Sequence, residues 1–375
     1  MQTLQIYSGN LYGGVERTLA TIAGARGDSR REFALCFDGR LRRDLLGLGV
    51  RVHDLGRVRL RWPWTVMRAR RVLAGVLART VFDVVICHSH WAHAIFAPVV
   101  RRAGRPLVFW LHEPARGRHW IERWARRTRP HAVVCNSAFT ARSVATIHPG
   151  VRTEIVHPPV PLFPPAGAPL RAAVRAGLGV RPDVAVIVQV SRLEGLKGHD
   201  VHLDALGRLA DLGPRWQCWM VGGAQRPHEA ERLRALQRKA ADLGIADRVR
   251  FLGERTDVPA LLRAADVLCQ PNTRPEAFGV AFVEGLAAGL PVVTSALGGA
   301  LEVVDESCGF LVPPGDAAAL ASVLRRLVAD PALRARTGAA GPARARRLCD
   351  PAAQLGRLDS VLASIVAAPG VEAVA

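Results

Sequence analysis

The feature that most restricts this chain is an alternation of short apolar runs with longer amphipathic stretches, sustained along its length. Strand-like runs fall at 4–8, 33–37, 50–55, 84–88, 107–111, 132–136 and 154–157, then at 184–190, 217–221, 248–252, 267–270, 292–294 and 310–312. Helical stretches fill the gaps. Strands that alternate with helices pair in parallel, because a parallel neighbour is reached only through a crossover about as long as a helix. Each half therefore predicts a doubly wound parallel sheet, an α/β domain of Rossmann-like type. Between the halves, residues 157–169 carry six prolines, too many for either element, and read as a stiff linker. The expected division is a first domain at 1–160, a linker at 161–169, a second domain at 170–350 and a closing helix at 351–375.

In open parallel sheets ligands gather beyond the carboxyl ends of the strands, where helices begin. The stretch 274–294 is such a place. Pro271, Asn272 and Pro275 end an apolar run in a turn, a helix opens near Gly279, and Gly289-Leu290-Pro291 stops it before the next strand. The amides of Phe278, Gly279 and Val280 lie at that helix start, where free N–H groups and the helix dipole favour an anion. Glu276 precedes them and Glu284 follows. Two carboxylates around a phosphate-type site suit a ligand with both phosphates and hydroxyls, such as a nucleotide sugar; acidic residues simply favoured at a helix start are the alternative.

Glu276-x7-Glu284 with Phe278-Gly279 inside it resembles the donor-binding signature of the retaining glycosyltransferases of family 4. The resemblance extends to Gly13-Gly14-Val15-Glu16-Arg17 and to Arg192-Leu193-Glu194-Gly195-Leu196-Lys197-Gly198, and covers essentially the whole chain. It implies the GT-B fold, two Rossmann-like domains facing a cleft, with the tail from 351 crossing back to the first domain. The first would be the acceptor domain and the second the nucleotide-sugar donor domain.

The resemblance also implies roles. Gly13 and Gly14 would bring backbone close to the donor phosphates, and Arg192 and Lys197 would hold the diphosphate, on which charge builds as the glycosidic bond breaks. His112, ending the run at 107–111, would contact the donor sugar together with Glu276, and Glu284 would take the ribose hydroxyls. The expectation is a metal-independent transfer with retention and no cofactor, from a donor most readily UDP- or GDP-linked. The acceptor would be a glycan or a polyprenyl- or other lipid-linked hydroxyl.

His88-Ser89-His90-Trp91-Ala92-His93 follows a strand, and three histidines so close could ligate a metal. No carboxylate or cysteine completes a ligand set, apart from Cys87, which points elsewhere on the same strand. The preferred reading is polar lining at a strand end, so His88 and His90, with Glu16, are the acceptor-side candidates. The first glycine loop, at 8–17, is not GxGxxG and leads to a helix expected at 18–23, and no Walker sequence occurs.

Charge matters at one point. The formal net charge is +19, and residues 51–150 hold 18 Arg against Asp54, Asp83, Glu113 and Glu122. Only Lys197 and Lys239 among 51 basic residues are lysine, so an arginine bias explains the choice of base but not the shortage of acids. Trp62, Trp64, Trp120 and Trp124 stand among these arginines, as they would in a patch docking on anionic membrane; a solvated basic face is the alternative. Seven scattered cysteines without CxxC spacing read as buried thiols in a reducing compartment. With no long apolar run and no leader pattern, the expected location is cytoplasmic, with peripheral docking on the inner membrane face open to the basic half.

Rival functions remain. A GT-B epimerase or phosphorylase would share the fold, although the two lysines give pyridoxal phosphate little to bind. A basic nucleic-acid binder would need stacking platforms that the sequence does not offer, so no nucleic-acid partner is expected.

Overall fold

The computed structural model of the protein describes residues 1–25, 29–163, 167–224 and 226–368. Each of the thirteen apolar runs overlaps a strand. They are β1 (Gln2–Tyr7), β2 (Arg30–Leu35), β3 (Val52–Asp54), β4 (Val84–His88), β5 (Leu107–Leu111), β6 (Ala132–Cys135) and β7 (Arg152–Ile155), then β8 (Ala185–Val190), β9 (Trp216–Val221), β10 (Val249–Gly253), β11 (Val267–Gln270), β12 (Val292–Ser295) and β13 (Gly309–Val312). The bounds depart most at β2, which starts three residues before its apolar run and ends two before the run does.

The strands form two sheets, in the orders β3-β2-β1-β4-β5-β6-β7 and β10-β9-β8-β11-β12-β13, and every pairing is parallel. Both orders run outward from a first strand, then restart on its other side. The restart, between β1 and β4 and between β8 and β11, is the switch point at which adjacent loops turn opposite ways and leave a crevice.

The chain divides into two compact units, Met1–Pro159 with Pro351–Ala375, and Val160–Asp350. In the second unit, alternate strand residues serve two cores: Val186, Val188, Trp219 and Leu268 on one face, Ile187, Cys218, Met220 and Cys269 on the other. Full burial of one such aliphatic side chain contributes about 1.5–3 kcal/mol, so both faces must be covered by helices.

In the first unit the helix Pro351–Val366 inserts Leu355, Leu358, Val361, Leu362 and Ile365 against the face carrying Ile86, Val108 and Trp110. Asp359 accepts from Arg31 at 2.8 Å, and Arg357 Nε donates to the Ile155 carbonyl at 2.6 Å. Residues 369–375 of the expected tail and 164–166 of the expected linker lie outside the described residues. The linker is also shorter than its prolines suggest. Val160 is buried in the second core, with its N–H on the Cys349 carbonyl at 3.0 Å, and the helix Ala168–Gly177 begins with Pro169 in its first turn. Proline fits there because that N–H has no helical partner.

All seven cysteines are free and buried. Among the described residues no helix is long and apolar enough to cross a membrane.

Candidate active site

The switch point of the second unit is built by the loops after β8 and β11. The β8 loop runs from Ser191 through a short turn at Gly195–Lys197 to Gly198, which begins the helix His199–Gly207. Gly198 has φ +70°, and a Cβ there would lie 1.7 Å from the Pro271 carbonyl oxygen. Only glycine allows this approach, and the approach draws the two loops together. Thr273 N–H donates to the Leu196 carbonyl at 2.9 Å, and Gln189, buried in β8, donates to the Lys197 carbonyl at 3.0 Å.

This geometry delivers Lys197 to Glu276. Lys197 Nζ donates to Glu276 Oε1 at 2.5 Å, while Oε2 accepts from Asn272 Nδ2 at 2.7 Å and Gln270 Nε2 at 3.0 Å. The two charged side chains are only 14% and 18% exposed, so the pair is shielded from solvent. Burial pushes the Glu276 carboxyl pKa upward, but the Lys197 ammonium and the two amides outweigh it and hold it below its ordinary value. Glu276 is thus a fixed anion with both oxygens engaged. That suits a hydrogen-bonding platform better than a nucleophile.

Glu276 also leads into the anion-type helix start. Gly279 caps the helix Val280–Ala287 at φ +97°, and a Cβ on it would meet the Phe282 ring at 2.2 Å. The loop at 298–299 closes over the turn: Gly299 N–H donates to the Glu276 carbonyl at 2.8 Å. Phe278 is buried, Val280 opens the helix, and Glu284 lies buried on it. Arg192, on the same β8 loop, pairs its guanidinium with Glu194 at 2.7 Å.

In the first unit, the loop after β1 reaches the helix Gly14–Gly24, which starts before the expected residue 18. Apolar periodicity misses this first turn because Glu16 secures it with polar bonds: Oε2 accepts from Gly13 N–H at 2.8 Å and Oε1 from Tyr7 Oη at 2.8 Å. Glu16 is buried, with both carboxylate oxygens engaged inside the loop. Gly13 and Gly14 lie outside the left-handed region, so any special use of them rests on their lack of a side chain.

Across the same switch point, β4 ends in His88 and His112 directly follows β5. His88 Nδ1 lies 2.8 Å from His112 Nε2, and His88 Nε2 lies 2.6 Å from Gln5 Oε1. Trp110 stacks on both rings, with centroids at 5.2 Å and 5.6 Å. Burial holds the pKa of His88 well below the imidazole value and that of His112 down to about 3, so both rings are neutral near pH 7. His88 is wholly enclosed, which corrects its place on the acceptor side; it supports His112 instead.

His90 is only partly buried and turns to the other sheet face, edge-on to Phe109 at 5.5 Å and 3.9 Å from Glu122, and burial lowers its pKa. Among the described residues no group of three His, Cys, Asp or Glu side chains is placed to hold an ion. Sequence reasoning missed Gln270, Asn272 and Gln5. Each is a polar residue in or just after an apolar strand at a switch point, which is the pattern that could have found them.

Two family models match the chain. "Glycosyltransferase Family 4" covers residues 12–162 and "Glycosyl transferases group 1" covers 171–344. Among curated proteins, the D-inositol 3-phosphate glycosyltransferase of Streptomyces avermitilis is 40% identical over 205 residues, 52% of this chain and 42% of that one. Its namesake from Mycobacteroides abscessus is 36% identical over 251 residues, 64% of this chain and 52% of that one. The chain spans about half the length of the curated relatives it matches. Among solved structures, Anabaena Alr3699/HepE in complex with UDP and glucose superposes with a TM-score of 0.84 at 25% identity, covering 97% of this chain and 100% of that one. Sucrose-phosphate synthase from Thermosynechococcus elongatus shares the fold, with a TM-score of 0.82 at 20% identity over 98% of this chain and 99% of that one. With both halves matched by family models and both sheets parallel as expected, the chain belongs to the family 4, group 1 glycosyltransferases of GT-B fold.

Proposed function

We propose that the protein transfers a sugar from a nucleoside-diphosphate sugar to a glycan or lipid-linked hydroxyl, with retention at the sugar carbon and without a metal. The observation that carries this reading is the pairing of Lys197 with Glu276 at 2.5 Å, just before the start of the helix Val280–Ala287. A departing nucleoside diphosphate needs positive charge held ready where its own charge grows, and a fixed cation supplies it without reorganisation. Lys197 and Arg192 are assigned to that diphosphate, with Gly13, Gly14 and the amides around Gly279. Glu276, with both oxygens engaged, is assigned to hydroxyls of the transferred sugar, His112 to the same sugar, and Glu284 to the ribose.

The Anabaena relative was crystallised with UDP and glucose, which favours a UDP-linked donor. The acceptor is assigned to a membrane surface. Trp62 and Trp64 stack at 5.8 Å and are 37% and 65% exposed, with the Arg59 and Arg61 guanidinium groups over Trp62 at 4.8 Å and 4.7 Å. Exposed tryptophan among arginines suits the boundary between anionic headgroups and acyl chains.

A thermal-shift series with UDP, GDP, ADP and their sugars tests the reading, followed by turnover of any donor that binds. At a hundredfold excess over Kd a ligand of the folded state adds about 2.7 kcal/mol, enough to raise Tm by several degrees. A protein indifferent to every nucleotide would overturn the proposal.

A further inference from the structure

The face of the first sheet that bears His112 carries a continuous polar chain through an otherwise apolar layer. Parallel register pairs Gln5 with Ile86 and His88 with Trp110. Side chains two apart on a strand share a face, so Gln5, His88, Trp110 and His112 all project to one side. From that register follow the contacts: Gln5 Oε1 to His88 Nε2 at 2.6 Å, then His88 Nδ1 to His112 Nε2 at 2.8 Å. Gln5 Nε2 donates to Thr3 Oγ1 at 3.3 Å, so the amide oxygen is the atom turned to His88.

Each link has one donor and one acceptor, and the first link decides the rest. An amide oxygen only accepts, so His88 Nε2 carries the proton and donates to it. A neutral His88 then has a bare Nδ1, which can only accept. His112 must therefore carry its proton on Nε2, and its own Nδ1 is left unprotonated. Gln5 and His88 are fully buried and His112 is 7% exposed, so a mismatch of two lone pairs would find no water to relieve it.

We infer that Gln5 and His88 are positioning residues for the transfer, holding His112 in the tautomer whose Nδ1 accepts a hydrogen bond from a hydroxyl of the donor sugar. The inference rests on the reading of His112 as a sugar-contacting residue. Burial keeps both rings neutral, so the tautomer decides what His112 offers. A hydroxyl that donates to Nδ1 gains electron density on its oxygen. That density favours the positive charge that develops in the sugar ring as the diphosphate leaves.

The experiment combines long-range proton–nitrogen correlation spectra of histidine-labelled protein with kinetics on UDP-glucose. The His112 resonances are assigned by their loss in His112→Gln. The expected wild-type result is an Nε2–H tautomer at His112. Thermal unfolding and UDP affinity of each variant serve as the folding control. Gln5→Met removes the acceptor, so His112 becomes a mixture of tautomers and kcat falls roughly 5- to 10-fold, the worth of one neutral hydrogen bond, while UDP affinity is unchanged. An Nδ1–H tautomer in the wild type, or Gln5→Met with unaltered spectra, overturns the chain of bonds. The expected tautomer with kcat indifferent to both Gln5→Met and His112→Gln overturns the sugar contact instead, so the two failures are told apart.

Discussion

The pairing of Lys197 with Glu276 can be tested by removing the ammonium. Lys197→Met keeps the length of the side chain and leaves the carboxylate with two amide donors, Asn272 at 2.7 Å and Gln270 at 3.0 Å. Breaking a buried ion pair from one side costs about 3–5 kcal/mol. The two remaining donors and the 18% exposure of Glu276 put the expected loss at the low end, about 3 kcal/mol. Glu276→Gln should cost less, about 1–2 kcal/mol, because a lysine on a flexible stem can turn its charge to water. The double variant should then be less destabilised than the sum of the singles, with a coupling of at least about 1 kcal/mol.

Hydrogen-exchange protection of peptides from 160–350 in increasing urea reads the effect in the right unit. The pH dependence provides a second signature. Glu276 is held below its ordinary value of 4.5, so it stabilises the folded state above that pH, and the contribution is lost as pH falls through the lowered folded value. Without Lys197, burial meets weaker opposition and the carboxyl shifts upward, so the variant should recover stability relative to wild type between pH 7 and 5. Additive single variants, with a gap from wild type that does not change with pH, would refute the pairing as an energetic unit.

Three further outcomes are expected. Arg192→Ala and Lys197→Ala should each weaken UDP binding in calorimetry and lower turnover by an order of magnitude or more, and turnover of the wild type should persist in excess EDTA. Gly198→Ala should destabilise peptides of 160–350 by at least about 2 kcal/mol in the same exchange assay, since a Cβ at φ +70° collides with the Pro271 carbonyl. Vesicles with anionic lipid should sediment the protein and release it in raised salt, while Trp62→Ala with Trp64→Ala should abolish retention; equal binding to neutral vesicles would remove the electrostatic part of the reading.

Much of this architecture was legible because short continuous apolar runs between helical stretches report strands buried on both faces. Val267-Leu268-Cys269-Gln270 and Val84-Val85-Ile86-Cys87-His88 could hardly be anything but buried parallel strands. The glycine loops and Glu276-x7-Glu284 were legible as local patterns. What escaped was every contact made across the sheet. Nothing local to Lys197 says that its ammonium meets Glu276, 79 residues on, because strand order and the close approach at Gly198 create that meeting. The enclosure of His88 was hidden for the same reason: a polar residue at a strand end looks solvent-facing in sequence, while its burial depends on which neighbours flank the strand.

The two units solve the same problem at the same topological position. A switch point opens a crevice for ligand, but the strands that form it are buried on both faces and cannot hold loose polar groups. Each sheet answers with a fully buried glutamine in its first strand, Gln5 in β1 and Gln189 in β8. Gln5 accepts from His88, and Gln189 accepts from His202 at 2.7 Å while donating to the Lys197 carbonyl at 3.0 Å. An amide has one donor end and one acceptor end, so it can tie a fixed backbone or hydroxyl group on one side to a histidine on the other. Replacing Gln189 by Met should therefore loosen the Lys197 turn, raising the Kd for UDP severalfold while leaving the histidine pair of the first unit unperturbed. A Gln189→Met protein that binds UDP as tightly as wild type would show that Gly198 alone holds that turn, and the parallel between the two glutamines would fall.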